Sequence, residues 1–372
     1  MNKQKDNFDQ VIVGLKDINN PFPAIYLHIF SDMSPEQMTE LKKAWFEIPA
    51  ARKINLLGDL EEIAEADTLV CFDDFGRFVL KEEKNPQVLS AAIRLLWECE
   101  DPKLIPLLME NSNHADDTLR AAAVAALGFF IYLGELDEIP KKQQERIEDK
   151  LFGVFDKDPQ VQVRRKALES LGYSSRKEVV KIIQKSYENE LPEWKASALF
   201  AMGRSADPRW KNDILENISQ DNPEIQAEAI RAAGQLELRN ARPALLELLK
   251  EPFELDIDLR SIIIWSLSQI GGKNVRKTLE RILEETDDDE EALFIDNALE
   301  NLDFTESFPE LDMLAIRTDE LTGEGELDEY LSEELITDDD DADGDVDLDD
   351  DDGYGDIDDD YGDDEVEEED EY

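Results

Sequence analysis

Apolar residues recur at helical spacing along most of the chain, and one such pattern occurs three times between residues 158 and 250. Each copy starts near a proline, carries an apolar stripe with several alanines, and ends at a glycine. The closing glycines, Gly172, Gly203 and Gly234, lie 31 residues apart. A fixed period of this length predicts a stack of repeated helical units, because one short unit cannot bury its own apolar face.

Further copies extend the array from about residue 70 to residue 302. Each unit is predicted to hold two helices, and the second starts where Asn or Asp caps the helix and proline takes its first turn, as at Asn222 and Pro223. The longest unit contains an insertion around residues 133–144. The successive closing positions are Trp97, Gly128, Gly172, Gly203, Gly234 and Ser268, with a degenerate copy closing near Glu300. The pattern therefore predicts about seven helix pairs.

Two segments of this array, Val163 to Gly172 and Asp101 to Leu108, resemble HEAT repeats. The resemblance is closest to the short variety that is named after phycobilisome lyases, and it covers roughly residues 70–302. It implies an all-α, superhelical α-solenoid whose second helices line the concave side. It also implies a ladder in which a helical arginine pairs with an aspartate six residues earlier, and Asp158 and Arg164 have that spacing.

The flanking regions do not follow the repeat. Residues 1–69 contain helical patterns, including a capped helix start at Ser34 and Pro35, and are predicted to form a helical N-terminal cap over the first apolar face. Residues 303–337 are an acidic transition segment that could include one short helix. Residues 338–372 are low-complexity Asp/Glu sequence, which we expect to be disordered because it has too little apolar surface to bury.

The charge is distributed unevenly along the chain. The net charge is −53, and residues 338–372 contribute 23 acidic residues and no Lys or Arg. Direct binding of nucleic acid is not expected, since contacts to phosphates need clustered Lys and Arg. Basic proteins and divalent cations are more natural partners for the acidic tail. An acidic chaperone for basic proteins is therefore one alternative function.

One region departs from the acidic trend, because residues 141–185 contain twelve basic and seven acidic residues. The simpler interpretation is a solvated surface. The alternative is a positive patch that binds an acidic partner or the chain's own tail.

The tail also contains a loop that fits the spacing of calcium ligands in an EF-hand, although a run of aspartates matches that spacing by chance and no clear helices flank it. Its carboxylates would be Asp339, Asp341, Asp343, Asp345 and Asp350.

Motifs for catalysis or for cofactor binding are missing from the sequence. The chain has two histidines, His28 and His114, which cannot supply the repeated His-Glu pairs of the HEAT-like deoxyhypusine hydroxylases. Its two cysteines, Cys71 and Cys99, have no metal-binding or redox spacing, and no run reaches the length of a membrane span. We therefore expect a cytoplasmic, non-catalytic protein without a cofactor or a membrane contact. A lyase that acts on a bound chromophore remains an alternative, because that chemistry leaves no compact motif.

The preferred function is a scaffold or adaptor that binds another protein on its concave surface. Trp194 is expected to be exposed on that surface, whereas Trp97 and Trp265 are expected to pack in the core. The candidate partner-binding residues are Arg120, Arg164, Arg165, Lys166, Trp194 and Lys195.

Overall fold

The computed structural model describes residues 2–67 and 69–307, and these residues form helices and connecting loops without any strand. The chain divides after Pro309, so all the described helices belong to one unit. The acidic tail, the transition segment beyond Ser307 and the candidate calcium loop lie outside the described residues.

The N-terminal block consists of α1 (Asn2–Lys16), a 3₁₀ helix (Ala24–Phe30), α2 (Pro35–Trp45) and α3 (Ala50–Ala66). The hydroxyl of Ser34 accepts a hydrogen bond from the backbone NH of Gln37, and the Gln37 side chain accepts one from the Ser34 NH, as the capping box predicts. A cluster of aromatic rings joins the block to the helices that follow. Within it, Phe75 lies 5.0 Å from Phe30 and 5.6 Å from Trp45, measured between ring centroids.

Seven helix pairs follow this block. The first helices of the pairs are α4 (Asp73–Glu82), α6 (Leu104–Asn111), α8 (Lys141–Lys157), α10 (Lys177–Tyr187), α12 (Lys211–Leu215), α14 (Arg242–Leu248) and α16 (Val275–Glu285). The second helices are α5 (Pro86–Leu95), α7 (Asp117–Glu135), α9 (Val161–Leu171), α11 (Pro192–Arg204), α13 (Pro223–Gln235), α15 (Ile257–Ile270) and α17 (Asp289–Ser307). The predicted all-α stack of about seven pairs is confirmed.

The insertion expected near residues 133–144 lengthens two helices. Helix α7 has 19 residues and continues to Glu135, and α8 has 17 residues. The extra residues are therefore part of α7 and α8, while the pairing of helices is unchanged. The domain boundaries at residues 69 and 302 remain predictions.

The second helices pack in one continuous row that starts at α3 and ends at α17. They run parallel, because N-terminal halves contact N-terminal halves, as at Arg165 and Ser197, and C-terminal ends contact C-terminal ends, as at Gly172 and Ala201. Contacts between successive first helices are far sparser. The second helices are therefore packed against one another more closely than the first helices. We call the solvent-facing surface of that row the second-helix face.

The closing glycines permit this close approach. A Cβ atom on Gly172 would lie 2.8 Å from the carbonyl oxygen and 2.9 Å from the Cα atom of Ala201 in the next second helix. A Cβ atom on Gly234 would meet the Cα atom of Ser266 at 2.7 Å. Such distances to backbone atoms require the two helices to move apart, so the 31-residue glycine spacing is a packing requirement.

We predict that Gly172→Ala lowers the free energy of unfolding by about 1–3 kcal/mol, because α9 and α11 must separate to admit the methyl group. Gly153→Ala in α8 is the matched control, since no atom lies within 4 Å of the place that its added methyl group would take. In Gly153→Ala, the higher helix propensity of alanine should raise the free energy of unfolding by at most about 1 kcal/mol. Chemical denaturation of both variants measures the contrast, and equal effects of the two substitutions would contradict it.

Candidate functional site

A buried cation near the start of several second helices links neighbouring repeats. In α7, Nε and Nη2 of Arg120 donate to the two carboxylate oxygens of Asp158, at 2.9 and 3.1 Å. Its Nη1 donates to the carbonyl oxygens of His114 and Ala115, in the loop before the same helix. Asp158 precedes α9 and so belongs to the next repeat. Arg120 thus closes its own interhelical loop and holds the following repeat.

The predicted pairing of Asp158 with Arg164 is therefore replaced by the pair of Asp158 and Arg120. Arg164 donates from Nε to the carbonyl oxygen of Phe155 at 2.7 Å, and its guanidinium lies 5.3 Å from the ring centroid of Trp194 in α11. Each of these arginines points along the stack toward the next repeat. That direction carries Arg164 away from the carboxylate that lies six residues before it.

The same bridge occurs at both ends of the array. Arg260 in α15 donates to Glu291 in α17 and to the carbonyl oxygen of Pro252 in its own repeat. Lys53 in α3 lies 2.6 Å from Glu83, which precedes α5. Burial acts to raise the pKa of Glu83, but hydrogen bonds from Lys53 and from two backbone NH groups outweigh it and lower that pKa. Helix α3 therefore contacts the first repeat as a second helix would.

Two repeats carry shorter side chains at the equivalent position. The ammonium of Lys195 lies 4.7 Å from the ring centroid of Tyr187, and the side-chain amide of Gln226 donates to the carbonyl oxygen of Ile218 at 3.0 Å. Both contacts stay within the residue's own repeat.

Burial corrects the predicted roles of the tryptophans and of Arg120. Trp194 is 6% exposed and packs edge-on against Phe155, so it belongs to the core. Arg120 is also buried and cannot offer its charge to a partner. Trp97, expected in the core, is 51% exposed, and Trp265 is half-buried. Helical spacing predicted the helices, but it did not show which of these residues the neighbouring repeats would cover.

The remaining two candidates, Arg165 and Lys166, belong to an ion network on α9, α11 and α13. Arg165 donates to the hydroxyl of Ser197 at 2.8 Å and pairs with Glu224. Lys166 lies 2.6 Å from Glu169, whose other oxygen accepts a hydrogen bond from Ser197 at 2.7 Å. The central part of the second-helix face is therefore charged but internally paired.

The basic region 141–185 does not form one patch in the fold. Its α9 residues face the second-helix face, whereas the others lie on first helices α8 and α10, on the opposite side of each pair. Arg176 is held among Glu148, Asp149 and Glu178. The exposed bases on the first helices are Lys141, Lys142, Arg146, Lys157, Lys177, Lys181 and Lys185.

A row of aromatic side chains lies at the C-terminal ends of the second helices α5, α7, α9 and α11. It comprises Trp97, Phe129, Tyr132, Tyr173 and Phe200, and ends at Arg204. Tyr132 lies 6.2 Å from Phe129 and 5.3 Å from Tyr173, between ring centroids. Trp97 and Phe129 line the same small apolar cavity. We call these six residues the aromatic row.

The sequence prediction did not include the aromatic row, although a signal for it existed. Phe129, Tyr173 and Arg204 each directly follow a closing glycine, and Tyr132 follows Gly128 by four residues in the lengthened α7. Aligning the positions after the closing glycines would have placed these side chains side by side.

The described part of the chain offers little support for a metal site or for a catalytic histidine or cysteine. No group of three or more His, Cys, Asp or Glu side chains there is arranged to hold a metal ion. The ring of His114 accepts a hydrogen bond from the backbone NH of Asp116. Burial, with a hydrogen bond to Asp73, raises the pKa of the Cys99 thiol to about 12, so this thiol is not a ready nucleophile.

Residues 211–295 match the family model of HEAT repeats. The matched segment extends from α12 through α16 to the start of α17. Second helices pack against second helices in the same way through the other pairs. This segment consists of HEAT repeats.

Solved structures with a similar arrangement share little sequence with this chain. The Escherichia coli protein YibA is 16% identical over 68% of this chain and 98% of its own, with a TM-score of 0.31. Human deoxyhypusine hydroxylase is 15% identical over 72% and 96%, with a TM-score of 0.31. Importin beta is 9% identical over 84% and 49%, with a TM-score of 0.37. At these TM-scores the similarity supports no statement on function, and no curated protein matches the chain.

Among the described helices, α7 is long and apolar enough to cross a membrane. Half of its apolar window is buried inside the stack, as in the core helix of a water-soluble protein. Its apolar composition is explained by its neighbours on both sides, α5 and α9.

We predict that Asp158→Asn lowers the free energy of unfolding at pH 7 by about 3 kcal/mol, because it leaves the charge of Arg120 buried without a counterion. Burial acts to raise the pKa of Asp158, but the hydrogen bonds from Arg120 outweigh it, and the folded-state pKa is lowered. The stabilisation is thus present above the unfolded pKa of about 4 and is lost as the pH falls through the folded value. The difference in the free energy of unfolding between the wild type and Asp158→Asn should therefore become smaller as the pH falls through this range.

The control is Asp149→Asn, which removes an exposed partner of Arg176 and should cost less than about 1 kcal/mol. The free energy of unfolding is measured with denaturant between roughly pH 3 and 7, because carboxyl groups titrate within this range. If Asp158→Asn behaves like Asp149→Asn at pH 7, the bridge does not hold the repeats together.

Proposed function

We propose that this protein is a non-catalytic scaffold that binds another protein along the second-helix face, with the aromatic row as its main contact. The supporting observation is the exposure of the row, since Trp97 is 51% and Tyr132 41% exposed on a surface that the fold does not need to cover. Trp, Tyr and Arg side chains are those most enriched where a few residues provide most of the binding energy.

The surroundings of the aromatic row favour a protein partner. On α7 the residues that precede Phe129 and Tyr132 on the same face are small and uncharged, including Ala122 and Ala125. The ion network on α9, α11 and α13 borders the row with groups that are already paired. This arrangement of an aromatic centre beside a polar rim is typical of protein interfaces.

Two alternative functions that the sequence suggests can each be tested by a different experiment. An acidic chaperone would act through residues 303–372, and its binding to basic proteins should fall steeply with salt and survive transfer of the tail to another carrier. A lyase should acquire the absorbance of a bound chromophore when it is produced together with a pigment pathway. We prefer the scaffold function because its main contact, the aromatic row, is part of the helical stack. A cytoplasmic location is part of the proposal.

A photo-crosslinking amino acid at Tyr132 in the full chain tests the proposed face. We expect it to capture a specific protein in cells, whereas the same amino acid at Lys181, on first helix α10, should not capture that protein. With the captured protein purified, Trp97→Ala should weaken binding at least about tenfold, as expected for an aromatic hot spot. Capture of the same protein from Lys181 but not from Tyr132 would overturn the assignment of the face.

A further inference from the structure

An open cleft lies on the side of the stack that carries the first helices, between α10 and the start of the next repeat. The next first helix, α12, has 5 residues against 11 in α10, and one 3₁₀ turn (Pro208–Trp210) precedes it. This shorter element leaves a volume of about 530 Å³ beside α10. Binding sites typically have volumes of roughly 300–1,000 Å³, so the cleft is large enough to hold a ligand.

Basic side chains line both walls of this cleft. Lys181 and Lys185 line it from α10, and Arg209 lines it from the next repeat. Arg209 is paired with Asp207, at 2.6 Å between Nε and Oδ2. Lys181 and Lys185 are exposed and form no hydrogen bond or ion pair with the described residues. These two ammonium groups can therefore bind an anionic ligand without breaking a contact of the fold.

Two carboxylates, those of Glu188 and Asp213, also line the cleft. Glu188 follows the last residue of α10 and accepts a hydrogen bond from the side-chain amide of Gln184 at 2.7 Å. Asp213 lies on α12, where burial raises its pKa. Neither forms an ion pair with Lys181 or Lys185. The positive charge of the cleft is therefore concentrated along α10, and a ligand must bring uncharged groups to the two carboxylates.

The spacing of the lysines on α10 matches that of side chains in an extended peptide. Lys177, Lys181 and Lys185 follow one another at intervals of four residues. They lie along one side of the helix, with an axial rise of about 6 Å between successive lysines. In an extended peptide, every second side chain points to the same side, at intervals of about 6.6 Å. Acidic residues at alternate positions of such a peptide therefore reach successive lysines.

We propose that the cleft between α10 and α12 binds an extended acidic segment of another protein, with Asp or Glu at alternate positions against Lys181 and Lys185. The half-buried Val180 adds apolar surface for the uncharged residues between the acids. This interface lies on the first helices, whereas the aromatic row lies on the second helices. The proposal therefore does not rest on the scaffold function, and both surfaces can be occupied together.

A nucleic-acid strand fits this cleft less well than an acidic peptide. Proteins that bind single strands stack the bases on exposed aromatic rings, and Trp210, the aromatic residue that lines the cleft, is 3% exposed. Every nucleotide also carries a phosphate, so a strand cannot avoid the carboxylates of Glu188 and Asp213. A peptide can place uncharged residues beside them.

The test measures, by fluorescence anisotropy, how tightly the full chain binds a short labelled peptide in which Glu alternates with Thr. We expect this peptide to bind several-fold more tightly than a peptide of the same composition that has its Glu residues in one block. A photo-crosslinking group at the centre of the alternating peptide should attach to α10 and to residues 208–213. Equal affinity for the two peptides, or crosslinks elsewhere, would overturn the proposal.

Lysine variants separate the cleft from the general charge of the surface. Lys181→Gln with Lys185→Gln should weaken binding of the alternating peptide at least about tenfold, the effect of losing a charge-assisted hydrogen bond. Lys142→Gln with Lys157→Gln removes the same charge from α8. This control pair should change the affinity less than about twofold at physiological salt, because charges more than about 8 Å away are screened.

Three other results would also contradict the acidic-segment site. They are a failure of the alternating peptide to bind, an equal loss of affinity in both lysine pairs, and tighter binding of a uridine oligonucleotide of matched charge. The scaffold function is tested separately, since capture of a partner at Tyr132 does not involve α10.

Discussion

The close parallel packing of consecutive second helices is the constraint on which the rest of this structure depends. An open stack has no closed core, so every unit must bury its apolar face against its two neighbours. The closing glycines bring the helix backbones together at one end, and the buried cations fix the other end. The first helices are not drawn together in the same way. The aromatic row lies at the glycine end of the second helices.

The buried cation position shows how one structural task is met by different residues. Arg120 and Arg260 each reach a carboxylate in the next repeat, and Arg164 reaches a tryptophan ring there instead. All three also donate to a carbonyl oxygen of their own repeat, in the last turn of the first helix or after it, as does Gln226. An unpaired buried carbonyl is costly, so these four side chains share the contact within the repeat and differ in the bridge to the next repeat.

Much of the fold could be predicted from the sequence because its signals are local. The glycine period, the proline at the first helical turn and the caps at Ser34, Asn85 and Asn222 all act within one unit. The site could not be predicted in the same way, because its contacts join different repeats, as between Tyr173 and Arg204, 31 positions apart, or Arg165 and Glu224, 59 positions apart. The spacing of six residues predicted an ion pair between Asp158 and Arg164. The stacking of the helices instead decides which arginine lies beside Asp158. Trp97 and Trp194 were misplaced for the same reason.

The geometry of the stack also constrains how a bound chain affects the protein. Each repeat contacts only its neighbours, so the stability of the array is close to a sum over units and their interfaces. The aromatic row crosses three interfaces, from α5 through α7 and α9 to α11. A ligand that lies along the row therefore adds contacts across interfaces that otherwise depend on glycine packing and single cations. Binding there should stiffen this part of the stack, so a partner that occupies the row acts on the mobility of the repeats as well as on affinity.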